Sequence, residues 1–223
     1  NNHYGIWLKN STNSTFESNT ASYNTDGIYI YSSSNNNTVT NNTANNNSHS
    51  GILLFLFSSN NNLTNNTASN NSHSGIFFVG YSNENTVEYS SLSNNTQAGV
   101  TLTWTYGSWS YGGSSGNILK ENDIKDNGYG IKLESSSDNT IYNNYLNNTN
   151  NAYDNGNNTW NTTNSTGPNI VGGPYIGGNY WSDYTGNDTN GDGFGDTPYN
   201  ITGGSNRDYL PLILTTATLE GHV

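Results

Sequence analysis

The sequence predicts an all-β fold: a parallel β-helix solenoid with about 22–24 residues and three short strands per coil, closed by a C-terminal cap rich in Gly and aromatic residues. Three observations lead there. A Gly-Ile or Gly-Val pair recurs at near-constant spacing, two further apolar columns keep step with it, and an excess of Asn holds the same phase.

The pair stands at Gly5-Ile6, Gly27-Ile28, Gly51-Ile52, Gly75-Ile76, Gly99-Val100 and Gly130-Ile131, with spacings of 22, 24, 24, 24 and 31. Apolar residues follow each Gly at +1 and +3, as in Ile28 and Ile30 or Ile76 and Phe78. That alternation has the period of a strand. The second column is Phe16, Val39, Leu63, Val87, Leu119 and Ile141. The third, always five residues on, is Ala21, Ala44, Ala68, Leu92, Ile124 and Leu146. The long fifth spacing is an insertion of eight residues within 104–116, and a stacked coil tolerates a lengthened loop. Segments such as Asn35–Thr43 carry too much Asn, Ser and Thr for the competing helical solenoid. Residues 1–151 form the coils, about six complete ones in a rod of roughly 30 Å. Residues 152–214 form an irregular coil, aromatic cap and cation loop, and 215–223 a tail.

Asn makes up 46 of the 223 residues. Asn37, Asn61, Asn85, Asn117 and Asn139 precede the second column by two; Asn24, Asn47, Asn71, Asn95 and Asn127 follow the third by three. Each series is expected at a corner, in left-handed backbone geometry, with its amides bonded from rung to rung.

Side chains at +2 and +4 from Gly point outward. Over four rungs they form an apolar panel containing Trp7, Tyr29, Tyr31, Leu53, Phe55, Phe77 and Val79. A stripe of that size is either covered by another part of the chain, such as the 104–116 loop, or is a partner face for a neighbouring subunit or a glycan. Rings and methyls in those positions argue against an enzyme, because glycan chemistry needs carboxylates or bases converging on a cleft. The nearest acidic cluster, Glu84, Glu88, Glu121, Asp123 and Asp126, is explained as well by a Glu88–Lys120 ion pair between rungs. His3, His49 and His73 each precede a repeat Gly by two. His49 and His73 fall about 5 Å apart on adjacent rungs, without a third metal ligand, and read as exposed turn histidines.

Composition narrows the partners. There are five Lys plus Arg against 16 Asp plus Glu, for a net charge of −11, so nucleic acid is not expected. No apolar run is long enough to span a membrane, so no membrane insertion is expected. Zero Cys excludes disulfides and thiolate sites. No leader segment is visible, which suggests a mature or trimmed chain.

In the C-terminal part, Tyr175, Tyr180, Trp181 and Tyr184 are candidates to plug the open end of the core, and Tyr209–Leu214 reads as a last extended segment. Between them, Asp188, Asn190, Asp192, the Phe194 carbonyl and Asp196 stand at the spacing of a Ca²⁺ loop, with Gly193 at the sharp turn. The bidentate acid of such loops is missing, and Asp183 or Asp208 is the candidate to complete the shell.

The Gly-Ile-x-Leu, Asn-x-Thr-Val and Asn-Asn pattern resembles the right-handed parallel β-helix repeats of the NosD-like family, also described as carbohydrate-binding and sugar-hydrolase repeats. The ending, from Gly177-Gly178-Asn179-Tyr180-Trp181-Ser182-Asp183-Tyr184 to Asp208-Tyr209-Leu210-Pro211-Leu212, resembles the closing module of such domains in surface proteins of methanogenic archaea. The family implies a right-handed coil and, by its name, copper delivery to a reductase; the archaeal relatives imply a cell-surface setting. Asn10, Asn36, Asn62, Asn94, Asn161 and Asn200 are among about fifteen Asn-x-Ser/Thr acceptors for glycosylation in a secreted chain.

The expectation from sequence is thus a non-catalytic, extracellular, Ca²⁺-stabilised structural module of a surface layer, sheath, fibre or adhesin. The first coil, beginning at Asn1 without an amphipathic cap, is expected to stack on another copy. The alternatives are a glycan-binding module using the outward panel, and a polysaccharide lyase, hydrolase or epimerase.

Overall fold

The computed structural model describes residues 2–214; the expected tail at 215–223 and the starting residue Asn1 lie outside the described residues. The chain is a right-handed parallel β-helix. Its first sheet has seven parallel strands: Tyr4–Lys9, Asp26–Tyr31, Ile52–Phe55, Ser74–Val79, Ala98–Thr103, Tyr129–Leu133 and Asn150–Asp154. Ile28 pairs with Ile52, and Ile52 with Ile76, so identical side chains lie directly over one another. The second sheet runs from Thr15–Glu17 to Thr140–Tyr142, with Val39, Leu63, Val87, Leu119 and Ile141 in register. The third pairs Leu92 with Ile124, Ile124 with Leu146, and Leu146 with Trp181. All three inward columns meet in one core.

The repeat glycines sit where two turns of the coil nearly touch. A Cβ added at Gly51 would lie 2.7 Å from the Ala68 Cβ and 2.7 Å from the Gly75 carbonyl oxygen. Only a hydrogen fits there, and the Ala column is small for the same reason.

The amide ladders are present, and there are three. One climbs Asn37, Asn61, Asn85, Asn117, Asn139 and Asn158, each Nδ2 donating to the next Oδ1 at 2.9–3.1 Å. A second climbs Asn47, Asn71, Asn95, Asn127 and Asn148. The third, at the corner between second and third sheets, climbs Asn42, Asn66, Ser90, Asn122, Asn144 and Asn179. Left-handed backbone geometry belongs not to the ladder residues but to those just before them, including Asn36, Asn60, Glu84, Asn46 and Asn70. That residue turns the corner and faces water; the next one then points inward.

Every ladder ends on a carboxylate. Asn158 donates to Asp154, Asn151 (next above Asn148) to Asp183, and the backbone N–H of Asn179 to Asp208, at 2.7–2.8 Å. The amide dipoles align head to tail with N–H toward the C-terminal end, and an anion at the donor end completes the chain of bonds. No buried side-chain nitrogen or oxygen among the described residues lacks a partner.

The plug differs in membership from the one expected. Trp160 and Trp181 close the core, with ring centroids 5.6 Å apart, and Tyr199 stacks on Trp181 at 4.0 Å. Tyr180 stands outside the core, stacked on Tyr145; Tyr184 is half-buried against the core; Tyr175 is exposed.

Candidate functional site

The insertion decides what the outer face of the first sheet can do. Thr105-Tyr106 and Trp109-Ser110 form a small antiparallel hairpin that folds back over the outward panel. Tyr106 and Tyr111 pack on Phe55, at ring distances of 5.3 and 4.7 Å. The expected partner face is therefore not open. Leu53, Phe77 and Val79 are buried, Tyr29 and Phe55 nearly so, and Tyr31 partly; Trp7 alone remains more than half exposed. Most of the panel is thus buried within the chain itself.

Where this buried panel ends, a pocket of about 220 Å³ opens. It is lined by His49, His73, Phe77, Gln97, Thr101, Thr103, Thr105, Tyr106, Gly107 and Glu134. The histidines are not exposed turn residues. Their rings stack at 4.5 Å, and Tyr106 meets His49 edge-on at 5.6 Å. Buried Asp26, one rung below, holds His49 Nδ1 at 2.6 Å and accepts the Ser50 N–H at 3.0 Å. His73 Nδ1 lies 3.1 Å from Ser74 Oγ, which is itself 2.9 Å from Thr101 Oγ1. Lys132 lies on the next rung, 2.9 Å from Glu134. Burial, followed by the neighbouring His49, lowers the His73 pKa to about 4, so its ring is neutral at neutral pH. Burial pushes the Tyr106 phenol up to about 12, so it keeps its proton. A neutral imidazole and a protonated phenol thus face one cavity.

Sequence reasoning found the two histidines but missed Asp26 and Tyr106. Asp26 occupies a position whose equivalents in the neighbouring coils, Tyr4 and Ser50, carry no charge, and Tyr106 belongs to the insertion, which has no counterpart in other coils. Within the acidic cluster, Glu88 pairs with Lys120 at 2.8 Å and Asp123 with Lys125 at 2.7 Å, while Glu84 and Asp126 are exposed at left-handed turn positions.

The Asp188–Asp196 loop has its own internal bonds. Asp188 accepts backbone N–H from Gly191, Asp192 and Gly193; Asp192 accepts from Phe194; Asp196 accepts from Thr189. Asn190 donates to Asp192 at 2.9 Å. Asp208 does not join this loop: both its oxygens are taken inside the cap, and Asp183 accepts from Asn151 and Tyr199. Among the described residues no three His, Asp or Glu side chains converge as metal ligands. Of the glycosylation candidates, Asn10, Asn36, Asn62, Asn94 and Asn200 are exposed and Asn161 is half-buried.

Fold and cleft define a right-handed β-helix with a polar pocket across its first sheet. Residues 1–108 match the family described as right handed beta helix region, and residues 105–186 match periplasmic copper-binding protein (NosD). Together these two matches support a NosD-like parallel β-helix family for the chain. The copper of that description does not fit these residues. There is no Cys or Met, and the paired imidazoles are bonded at Nδ1 to Asp26 and Ser74, with no third donor among the described residues converging on them.

Among solved structures, the chain is similar to variants of the periplasmic alginate epimerase AlgG. One has 23% identity over 79% of this chain and 40% of that one, with a TM-score of 0.61. Another has 24% identity over 64% and 32%, with a TM-score of 0.59. It is also similar to the A-module of the Azotobacter vinelandii mannuronan C-5 epimerase AlgE4, with 18% identity over 70% and 49% and a TM-score of 0.55. The chain thus spans between a third and a half of the length of these structures. No curated protein matches it closely enough to count as a relative. The expectation of a non-catalytic structural module is corrected here. The solved structures it resembles are enzymes, and they favour the polysaccharide-modifying alternative over a layer or fibre component.

Proposed function

We propose that this protein modifies a polysaccharide by proton transfer at the pocket between the Tyr106 hairpin and the first sheet. The observation that carries this reading is the pairing of neutral His73 with protonated Tyr106 around one cavity, beside a His49 fixed by buried Asp26. Hydrolysis calls for two carboxylates flanking the bond, and here Asp26 is spent on His49. Proton transfer at carbon calls for a base and an acid, the roles open to an imidazole and a phenol.

The substrate class that suits them is a uronate-containing chain, whose C5–H is acidified by its carboxylate. His73 takes the C5 proton. Tyr106 then either returns a proton to the opposite face, which inverts the centre, or gives it to the departing glycosidic oxygen, which leaves an unsaturated sugar. Lys132, in register with Thr101 on the adjoining strand and paired with Glu134 at the pocket wall, is the cation nearest for the substrate carboxylate, while Gln97, Thr101 and Thr103 offer hydrogen bonds to hydroxyls. The epimerase titles of the neighbouring structures support the same class.

An extracytoplasmic location belongs to this reading, supported by the periplasmic wording for both NosD and AlgG. So does a structural Ca²⁺ at the Asp188–Asp196 loop, where each carboxylate oxygen that accepts one amide keeps a free lone pair.

The test is incubation with polymannuronate and polygalacturonate in deuterium oxide, followed by proton NMR. Deuterium at C5 or an unsaturated end group is expected, with His73→Gln and Tyr106→Phe each slowing it about 100-fold or more. Neither label nor an unsaturated end group on any polyuronate, or full activity in His73→Gln, would sink the proposal.

A further inference from the structure

A second candidate site lies away from the first sheet, where the outward positions of the second and third sheets meet the segment after Trp160. The strands Ser165–Thr166 and Tyr175–Ile176 pair as a hairpin, and its tip lies on the coil. Ile170 N–H donates to Asn143 Oδ1 at 2.8 Å. Two pockets open on either side of Ile170, of about 310 and 380 Å³. The first is walled by Tyr145, Asp123 and Lys125, the second by Tyr89, Glu121 and Asn143.

Each pocket combines an aromatic ring with polar groups already paired. Tyr145 is held by stacking on Tyr180 at 4.7 Å and 15°, one rung above the Asp123–Lys125 pair. Tyr89 is more than half exposed, and Glu121 and Asn143 lie 3.5 Å apart beside it. Rigid rings supply stacking area at little entropic cost, and paired charges present donors and acceptors without a net field. A polyanion would meet Glu121 and Asp123, and the lysines beside them are already paired, Lys120 with Glu88 and Lys125 with Asp123. A cation would meet Lys125. A chain with apolar sugar faces and uncharged hydroxyls meets complementary groups throughout.

We propose that this two-pocket groove binds a neutral glycan segment, with one sugar on Tyr145 and the next beyond Ile170 toward Tyr89. The groove is independent of the His73 pocket, so the two proposals stand or fall separately. A groove on a different face would let the protein hold a mixed polymer or a wall matrix while its other face works.

The experiment is ligand-observed NMR with cellohexaose and maltohexaose on the full chain. Binding to at least one is expected, weakened about tenfold by Tyr145→Ala and by Lys125→Ala, and unchanged by His73→Gln. Lys125→Ala sits clear of the Tyr180 stack, so it reports on the groove even if Tyr145→Ala loosens the cap. No binding of either hexasaccharide would overturn the proposal. So would binding insensitive to Lys125→Ala, or a stronger signal from a hexauronate that Lys125→Ala removes.

Discussion

The Trp181 indole donates to Asp208 Oδ2 at 2.8 Å, and the same oxygen accepts the Asn179 backbone N–H at 2.7 Å. One buried carboxylate thereby ends an amide ladder and fixes the plug of the core. Trp160 and Asp154 repeat the device at 2.8 Å for the ladder ending at Asn158.

Burial raises the Asp208 carboxyl to about 6, from a reference of 3.8, against four N–H donors that favour the ionised form. A folded-state pKa above the unfolded one means that the native state binds the proton more tightly. The resulting stability is full below about pH 4 and is lost as pH rises through about 6. His73, lowered to about 4, acts in the opposite sense over the same range. The difference between wild type and Asp208→Asn therefore isolates the carboxyl: the melting temperature of the variant should gain less, or fall further, between pH 7 and 5. Asp208→Ala strands its donors and should cost about 3 kcal/mol in denaturant unfolding.

Neighbours on one corner should respond oppositely. Asn85 is buried; its Nδ2 donates to Asn117 and to the Ser58 carbonyl, and its Oδ1 accepts from Asn61. Asn85→Ala should destabilise by about 2–4 kcal/mol. Glu84, exposed at φ 55°, should become more stable as Gly, by up to about 1 kcal/mol. Equal responses in urea titrations would contradict the assignment of inward and turning residues.

Removing residues 105–111 and rejoining the chain should expose Leu53, Phe77 and Val79 while leaving the stacked core in place. Far-ultraviolet circular dichroism should be retained, with a rise in binding of a hydrophobic dye and loss of the His73 pocket. Collapse of the circular dichroism signal would show instead that the hairpin is needed for the coil.

Most of the coil was legible in the sequence because stacking repeats every constraint. Gly51 must be small, Ile52 apolar and Asn61 able to bond both ways, and each rung states it again. Most of what escaped notice occurs once. The 104–116 insertion has no repeat to fix its direction, so whether it covered Phe77 or left it open depended on tertiary packing. Trp160 lies where the period has decayed, and its role is set by Asp154 and Trp181 rather than by phase. The third ladder was visible as Asn-Asn pairs at 41–42, 65–66 and 143–144, but Ser90 interrupts it.

The pH profile of the proposed activity follows from two groups. His73 must be unprotonated, which holds above about pH 4, and Tyr106 protonated, which holds below about pH 12. kcat/KM on a polyuronate should therefore be flat across the neutral range and fall only toward those limits. A steep limb between pH 6 and 8, surviving in Asp208→Asn, would rule out His73 and Tyr106 as the proton-transfer pair.

The loop at Asp188 gives the remaining prediction. Gly191 and Gly193 take positive φ, and the three Asp side chains accept backbone N–H groups around the turn. The loop is thus closed by its own bonds, while its carboxylates repel one another and add to a chain of net charge −11. A bound Ca²⁺ would offset that repulsion and, by binding only the folded form, raise stability by RT ln(1 + [L]/Kd). At a free ion concentration of about 100 Kd this is about 2.7 kcal/mol, or several degrees in the melting temperature. Chelation should therefore lower the melting temperature of the wild type by that amount, and excess Ca²⁺ should restore it. Asp192→Ala should begin near the chelated value and respond to neither treatment. A wild type indifferent to chelator would leave the loop as a turn held by Asx bonds alone.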